Sequence, residues 1–351
     1  MPKLAAIVAI ALSLGLAAAA DAAPRAFFGT VAFEDPTAAE FDRMGRGKVG
    51  TYRTNLYWAG VEPEGPGARD WSRYDALIGR AASNGIRVLP TIYGSPPWAA
   101  SKPHHPPKPQ FLDEFEDFVA AVAKRYGPGG EFWTNPFLYT ISHFGDPVVP
   151  IVDLQIWNEV NSPQYWTGRP HGRQYKPLLA AARRGLKGVN PGSRIVLAGL
   201  FRTAYEGRGV SMERYLRQLY RAGGRGLFDA MAVHPYALNP RRALLNVELA
   251  RKTMRRFGDG NKPIWIDEVG WATSGKRTPM TVKPRKQARY LRQTFRLAAR
   301  NRKRLRIAGV LWFSFKDTPS RLWIYRTGLF NAAFKPKPAW RSFVRLTGGR
   351  P

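Results

Sequence analysis

The sequence predicts an α/β protein, and specifically a single (β/α)8 TIM barrel. Eight short apolar segments recur along the chain of 351 residues. Between them lie segments whose apolar residues have the spacing of amphipathic helices, so predicted strands and helices alternate along the chain. Eight such units in a chain of this length fit a closed parallel barrel.

The predicted strands are short and mostly apolar, as expected for a parallel sheet that is buried on both faces. They comprise residues 26–33, 50–56, 86–92, 152–157, 194–199, 228–233, 263–267 and 307–313. An open doubly wound sheet is the alternative arrangement. We favour the barrel because no Gly-rich phosphate-binding turn follows the first strand.

The predicted helices each bury one apolar face. In the second helix, Asp70 provides an N-cap, Leu77 lies on the apolar face, and Gly85 ends the helix. The other helices are predicted at residues 38–44, 111–126, 173–189, 212–222, 243–257, 286–300 and 338–346. Long loops are expected at 93–110, which is dense in Pro, and at 128–150, which has no clear period.

The first 23 residues have the pattern of a secretory signal peptide. Lys3 supplies a positive charge, residues 4–20 are almost entirely apolar, and small residues near 20–24 offer a cleavage site. We therefore expect a secreted protein with a single domain at 24–351. An uncleaved membrane anchor is the alternative. The chain has no Cys, so its large core must be stable without disulfides.

The formal net charge is +30, and much of it falls in the helical segments 241–256 and 283–306. A positive field of this size attracts polyanions, so we expect electrostatic association with an anionic cell-wall or membrane surface. Zinc-ligand spacings, a recognition-helix unit and an aromatic sheet motif are all missing from the sequence, so we expect no specific nucleic-acid partner. We expect a monomer.

Polar and aromatic residues cluster where predicted strands end. In a barrel, residues just past the carboxyl ends of the strands share one cleft. These residues are Arg53 after the second strand, Asn158 and Glu159 after the fourth, His234 and Tyr236 after the sixth, Glu268 after the seventh, and Trp312 at the end of the eighth. The sequence therefore predicts paired carboxylates in one cleft.

Two motifs carry a resemblance to a known family. Trp157-Asn158-Glu159 follows an apolar strand, and Trp265-Ile266-Asp267-Glu268-Val269-Gly270-Trp271 comes later, with His234-Pro235-Tyr236 between them. This pattern resembles the clan A glycoside hydrolases, and within them the cellulase-like and β-xylosidase-like families. One departure is that Val160 follows the Asn-Glu pair, where Pro is common in relatives.

The resemblance implies a retaining β-glycoside hydrolase that cleaves O-glycosidic bonds of a polysaccharide or oligosaccharide by double displacement. By carry-over, Glu159 is the acid/base and Glu268 the nucleophile, with carboxyls roughly 5–5.5 Å apart. Like charge between the two should raise the pKa of the acid. Asn158 is expected to bind the sugar 2-OH, and Arg53 and Tyr236 to hold Glu268 ionised.

The other candidates have both a functional and a structural interpretation. His234 could contact a sugar hydroxyl or Glu159, or simply pack. Trp312 is expected to stack on a sugar ring in the innermost subsite, and Trp271 to serve as a platform, although either could be a core aromatic. The adjacent His104 and His105 have no partner at ligand spacing, so we predict no metal and no cofactor.

The sequence leaves the sugar, its linkage and endo or exo action open. The alternative function is a non-catalytic carbohydrate-binding or cell-wall-associated protein on the same barrel.

Overall fold

The computed structural model describes residues 23–140, 145–190, 192–202 and 209–351. Within these ranges, eight parallel strands close a barrel in sequence order, and the first strand pairs with the eighth. The predicted (β/α)8 fold is confirmed. Residues 1–22 of the expected signal peptide lie outside the described residues.

The eight strands match the predicted apolar segments, with shifted ends. They are β1 (Phe28–Val31), β2 (Thr51–Tyr57), β3 (Arg87–Tyr93), β4 (Asp153–Ile156), β5 (Arg194–Phe201), β6 (Ala230–His234), β7 (Ile264–Val269) and β8 (Ile307–Phe313). Nearly all of their residues are buried, because helices cover the outer face and side chains fill the interior.

Ten α-helices occur in the described residues. They are α1 (Ala38–Arg46), α2 (Ser72–Ser83), α3 (Leu112–Tyr126), α4 (Glu131–Thr134), α5 (Gly172–Leu186), α6 (Met212–Arg221), α7 (Pro240–Arg256), α8 (Pro284–Arg300), α9 (Arg302–Leu305) and α10 (Pro338–Thr347). The short α4 lies inside the stretch 128–150 that we expected to be irregular. None of the described helices combines the length and apolar character needed to cross a bilayer.

Polar caps explain where several helices begin. Thr37 accepts a hydrogen bond from the Glu40 backbone N–H, and the Glu40 carboxylate accepts one from Thr37, so a capping box starts α1. Asn239 accepts from the Arg242 backbone N–H at the start of α7. At α2 the N-cap is Trp71, so the prediction of Asp70 as N-cap was wrong by one residue, although Asp70 Oδ1 still accepts from the Ser72 backbone N–H at 2.9 Å.

The barrel encloses an apolar layer and a polar layer. The apolar layer is built from inward-facing side chains of several strands, namely Val31, Leu89, Val196, Ala230, Ala232, Trp265, Leu311 and Phe313. Buried polar groups lie at the carboxyl ends of the strands, where Arg53, Gln155 and Asp267 meet inside the barrel. This polar layer is where the predicted site residues converge.

Candidate active site

The two predicted catalytic carboxylates face each other at the carboxyl ends of β4 and β7. Glu159 follows β4, and Glu268 lies inside β7, one residue before its end. One oxygen of each carboxylate and a ring nitrogen of His234 all lie within 4.8 Å of one another. The Glu268 side chain is 10% exposed and the Glu159 side chain 21%, so Glu159 is the more open of the pair.

The backbone after β4 turns sharply to aim Glu159. Trp157 has a φ of 68° and Glu159 a φ of 38°, both in the left-handed region that non-glycine residues rarely adopt. The fully buried Trp157 fixes this turn, because its backbone N–H donates to Ile92 O at 2.8 Å and its Nε1–H to Tyr165 O at 3.0 Å. Such backbone strain is typical of functional sites.

Arg53 lies within β2, and our expectation that it follows this strand was wrong. The strand continues to Tyr57, and Arg53 points into the barrel, where its long side chain reaches the site. Its Nη1–H donates to Glu268 Oε1 at 2.7 Å, and its Nη2–H to Asn158 Oδ1 at 2.8 Å. One guanidinium therefore orients the carboxylate of Glu268 and the amide of Asn158.

Tyr236 holds the second oxygen of Glu268. Its hydroxyl donates to Oε2 at 2.9 Å. Burial raises the pKa of Tyr236, and the nearby Glu268 and Glu159 carboxylates raise it further, so the hydroxyl keeps its proton and remains a donor. With Arg53 on the other oxygen, both oxygens of Glu268 accept hydrogen bonds from fixed donors.

His234 bridges the two halves of the site. Its Nδ1 lies 2.8 Å from Glu159 Oε1, and its Nε2 lies 3.3 Å from Asp267 Oδ2. Burial lowers the pKa of His234, but Glu268 and Asp267 outweigh this and raise it to about 10. The imidazole is therefore a cation at neutral pH, and both ring nitrogens donate.

The ring of His234 fits only because β5 has a glycine beneath it. A Cβ atom at Gly199 would lie 2.0 Å from His234 Nε2. Any larger residue at this position would displace the imidazole from its two carboxylate partners.

Asp267 is a third carboxylate that the sequence analysis did not assign. It is fully buried, contacts Arg53 Nε at 3.2 Å, and accepts from Gln155 Nε2–H at 2.8 Å. Burial raises the pKa of Asp267, but His234 and Arg53 more than reverse this, so its pKa is lowered and it stays ionised. The signal was present in the sequence, since a charged residue in the middle of an apolar strand needs a buried partner.

The pKa of Glu268 is raised above its ordinary value. Burial is the main cause, His234 and Arg53 oppose it, and the charges of Glu159 and Asp267 add to the rise. The charge repulsion that we expected between the two carboxylates therefore contributes to the raised pKa of Glu268. Above this raised pKa, the Arg53 and Tyr236 donors hold the ionised form in place.

Trp312 and Trp271 do not line the site, and our expectation that they stack on sugar was wrong. Both are fully buried, and their rings pack together at 5.9 Å in the layer between the strands and the helices. Trp312 Nε1–H donates to Thr327 O and Trp271 Nε1–H to Ala237 O, both at 2.9 Å. Because side chains alternate along a strand, Trp312 faces outward and Phe313 faces the interior.

Other aromatic residues lie beside Glu268, where we had expected Trp312 and Trp271. Phe313 packs against Phe33 at 4.8 Å and Tyr236 at 6.3 Å, and Phe33 stacks on Tyr325 at 4.2 Å. Trp323 contacts Tyr236 edge-on at 5.7 Å and is partly exposed. We call Phe33, Tyr236, Phe313, Trp323 and Tyr325 the aromatic wall. Its rings lie near the nucleophile candidate, where an apolar sugar face could pack.

Tyrosines line the opposite side, near Glu159. Tyr93 OH donates to Tyr57 OH at 3.0 Å, and the Tyr93 ring lies 6.0 Å from that of Tyr165. Burial raises the pKa of Tyr165, and the charges of Glu159 and Glu268 add to the rise. This side therefore offers hydroxyl groups close to the carboxylate pair.

Glu159, His234 and Glu268 are spaced so that they could also hold a metal ion. The local charge argues against this use. His234, with a pKa raised to about 10, would have to lose its proton before it could bind a metal. Arg53 already neutralises Glu268.

The comparisons with known proteins support the fold. No protein-family model matches the sequence, and no curated protein matches it. Among solved structures, a family 39 glycoside hydrolase from Bacteroides cellulosilyticus WH2 superimposes with a TM-score of 0.65 at 19% identity, covering 93% of this chain and 64% of its own. This chain thus spans less than two thirds of that protein.

Two further structures have the same architecture. A GH5_18 protein from Bifidobacterium longum subsp. longum, in complex with Manb1-4GlcNAc, gives a TM-score of 0.64 at 15% identity, covering 92% of this chain and 77% of its own. A structure of fungal β-1,4-galactanases gives a TM-score of 0.60 at 14% identity, covering 90% of this chain and 93% of its own. At these identities the likeness concerns the fold, and the chain shares the closed barrel fold of these proteins.

Proposed function

We propose that this protein is a retaining β-glycoside hydrolase. The observation that carries the proposal is the pair of glutamates at the ends of β4 and β7, with oxygens within 4.8 Å of each other. Retaining enzymes place these carboxyls about 5–5.5 Å apart, whereas inverting enzymes need roughly 6.5–9.5 Å to admit a water. The short separation favours retention.

In the first step, a carboxylate oxygen of Glu268 attacks the anomeric carbon and forms a covalent ester. The bond from that carbon to the leaving oxygen breaks, and Glu159 gives its proton to this oxygen. Glu268 suits the nucleophile role because Arg53 and Tyr236 fix both of its oxygens. Glu159 suits the acid/base role by position, because its partly exposed side chain is accessible to a leaving group and to water.

In the second step, water attacks the anomeric carbon and releases Glu268 as a carboxylate. Glu159, now ionised, accepts a proton from this water. The cation of His234, 2.8 Å from Glu159 Oε1, stabilises the ionised form in this step. The formation of the ester removes the charge of Glu268, which also favours ionised Glu159.

The substrate we propose is a β-linked oligosaccharide or polysaccharide. The Asn158 amide, held by Arg53, is placed to hydrogen-bond the sugar 2-OH, and the aromatic wall offers a face for the ring. The GH5_18 neighbour, which contains a bound disaccharide, supports this class of ligand. With the signal-like residues 1–23, we propose that the protein acts outside the cell.

The test is hydrolysis of aryl β-glycosides by the protein and two variants. Glu268→Gln should lower kcat by at least about a thousandfold, because a neutral amide cannot attack the anomeric carbon to form the ester. Glu159→Ala should slow substrates with poor leaving groups by about 10²–10⁴-fold and be partly rescued by azide. Proton NMR should show that the first product keeps the β configuration.

Unchanged hydrolysis by Glu268→Gln would overturn the proposal. Glycan binding in calorimetry without turnover would instead favour a non-catalytic carbohydrate-binding protein. A product of inverted configuration would support glycoside hydrolysis but would overturn the retaining mechanism.

A further inference from the structure

The outer face of α8 carries a row of five arginines. They are Arg285, Arg289, Arg292, Arg296 and Arg300. Their spacing of three or four residues places them on one side of the helix, and the row extends about 23 Å along it. The opposite side packs into the barrel through Leu291 and Phe295, which are fully buried.

The charge of this row is unpaired in the part of the chain that the structure describes. Among the described residues, none of the five arginines forms an ion pair, and only Arg292 has a side-chain partner, Ser342 Oγ at 2.8 Å. From residue 269 to the end, the sequence has 21 Lys and Arg but a single acidic residue, Asp317. Asp317 is buried and paired with Lys337 at 2.7 Å. Like charges four residues apart destabilise a helix, so the row has a cost in stability.

The row continues onto the neighbouring helix α10. Phe295 of α8 packs against Phe343 of α10 at 5.7 Å, and Arg341 and Arg345 of α10 are exposed. We call the five arginines of α8 with Arg341 and Arg345 the cationic wall. Elsewhere on the surface, some arginines have acidic partners, as in the pairs Arg73–Asp35 and Arg184–Glu116.

We propose that the cationic wall binds a linear acidic polysaccharide whose carboxylates repeat along its length. Guanidinium groups pair with carboxylates through two parallel hydrogen bonds, which a row of arginines can repeat along a chain. The choice of a polysaccharide over other polyanions rests on the proposed function. The large exposed apolar residues Phe137, Val148, Leu238, Leu245 and Leu322 all lie outside α8 and α10, so this surface lacks the apolar anchors of a membrane-binding helix.

The wall begins at the active-site end of the barrel. Helix α8 follows β7, which carries Glu268, and Tyr290 in its second turn contacts Trp271 at 5.0 Å. A polymer bound along α8 is therefore held beside the mouth. This raises its local concentration at the carboxylate pair, as tethering does in other bivalent systems.

The test compares two triple variants of equal charge. Arg289→Gln, Arg296→Gln and Arg300→Gln remove part of the wall. The control, Arg80→Gln, Arg214→Gln and Arg221→Gln, removes three exposed arginines from α2 and α6. Both are made in the Glu268→Gln background, so that binding is measured without cleavage. Binding is measured on polygalacturonate, inorganic polyphosphate, neutral dextran and anionic phospholipid vesicles at about 0.1 M ionic strength, where only charges within ~10 Å still interact strongly.

The wall variant should bind polygalacturonate at least about tenfold more weakly than the control variant, with no binding of dextran by either. Equal weakening in both variants would overturn a localised site, because binding would then depend only on the net charge of the protein. Tighter binding of polyphosphate or vesicles than of polygalacturonate would overturn the assignment to a polysaccharide. Because this assay needs no turnover, its outcome is independent of whether the protein hydrolyses glycosides.

Discussion

At the scale of single residues, the site is a balance of three buried or half-buried carboxylates and two cations. Asp267 touches both cations, since it contacts Arg53 Nε and His234 Nε2. Arg53 contacts Glu268 at 2.7 Å, and His234 contacts both catalytic candidates, Glu159 at 2.8 Å and Glu268 at 3.5 Å. Buried charges are tolerated only when paired in this way. Asp267 is therefore a positioning residue that acts through its neighbours.

We predict that Asp267→Asn lowers the pKa of His234 from about 10 toward the ordinary value near 6.5. The substitution removes one of the negative charges that keep the imidazole protonated, and kcat should fall more than KM rises. Imidazole NMR titration measures the pKa, and His234→Gln assigns the signal. Asp259→Asn is the matched control, because Asp259 is buried in a separate ion pair with Lys262 and should leave His234 unchanged.

The same titration affects stability. The folded-state pKa of His234 lies above its unfolded value, so the protonated ring contributes stability that is complete below about pH 6.5 and is lost as the pH rises toward about 10. Asp267→Asn should flatten this part of the stability curve. A His234 pKa that stays near 10 in Asp267→Asn would contradict the positioning role.

At the scale of elements, the sequence predicted each strand but not which way its side chains point. The run Ile-Ala-Gly-Val-Leu-Trp-Phe in β8 is apolar throughout, because both faces of a parallel strand are buried. A shift of one residue exchanges the two faces, and only contacts across the barrel show the parity. Trp312 was assigned to the wrong face for this reason. The sequence analysis did not place Arg53, Gln155 and Asp267 correctly. The position of a polar side chain inside a strand depends on its partners on other strands, and the sequence alone does not show which residues these are.

We predict opposite effects for the two aromatic residues at the end of β8. Phe313→Leu removes an inward-facing ring of the aromatic wall and should lower kcat/KM for an aryl glycoside about 3- to 10-fold, which is the value of an aromatic contact. Trp312→Phe should leave kcat/KM within about twofold and lower the free energy of unfolding by about 1–3 kcal/mol, because it leaves a cavity behind the sheet. Chemical denaturation and steady-state kinetics measure both. If Trp312→Phe lowered kcat/KM more than Phe313→Leu does, the sugar would stack on Trp312 and not on Phe313.

At the scale of the whole molecule, charge is distributed unevenly around a symmetrical fold. The strands follow one another around the barrel in sequence order. The C-terminal quarter of the chain, which is strongly basic, therefore forms one continuous sector of the barrel. Helix α3 has four acidic residues and two basic ones, and its Glu116 pairs with Arg184 of α5. The fold positions the site, whereas the surface charge sets which polymers approach it.

We predict that added salt stabilises this protein. With a net charge of +30, repulsion among unpaired cations should outweigh the surface ion pairs, which contribute only about 0–1 kcal/mol each. Raising NaCl from about 10 to 150 mM shortens the screening length from roughly 30 to 8 Å. The melting temperature should then rise by a few degrees, on the order of 3 °C, as measured by calorimetry.

The cationic wall should account for a disproportionate part of this effect. Its α8 arginines stand one turn apart, so removing Arg289, Arg296 and Arg300 relieves repulsion within the helix as well as across the surface. At low salt, the wall variant should therefore melt higher than the control variant that lacks Arg80, Arg214 and Arg221, although both have the same net charge. The difference should shrink at 150 mM NaCl, because neighbouring charges are then partly screened. Equal melting temperatures at low salt would show that only the total charge matters, and a melting temperature that falls with salt would show that ion pairs such as Arg73–Asp35 dominate.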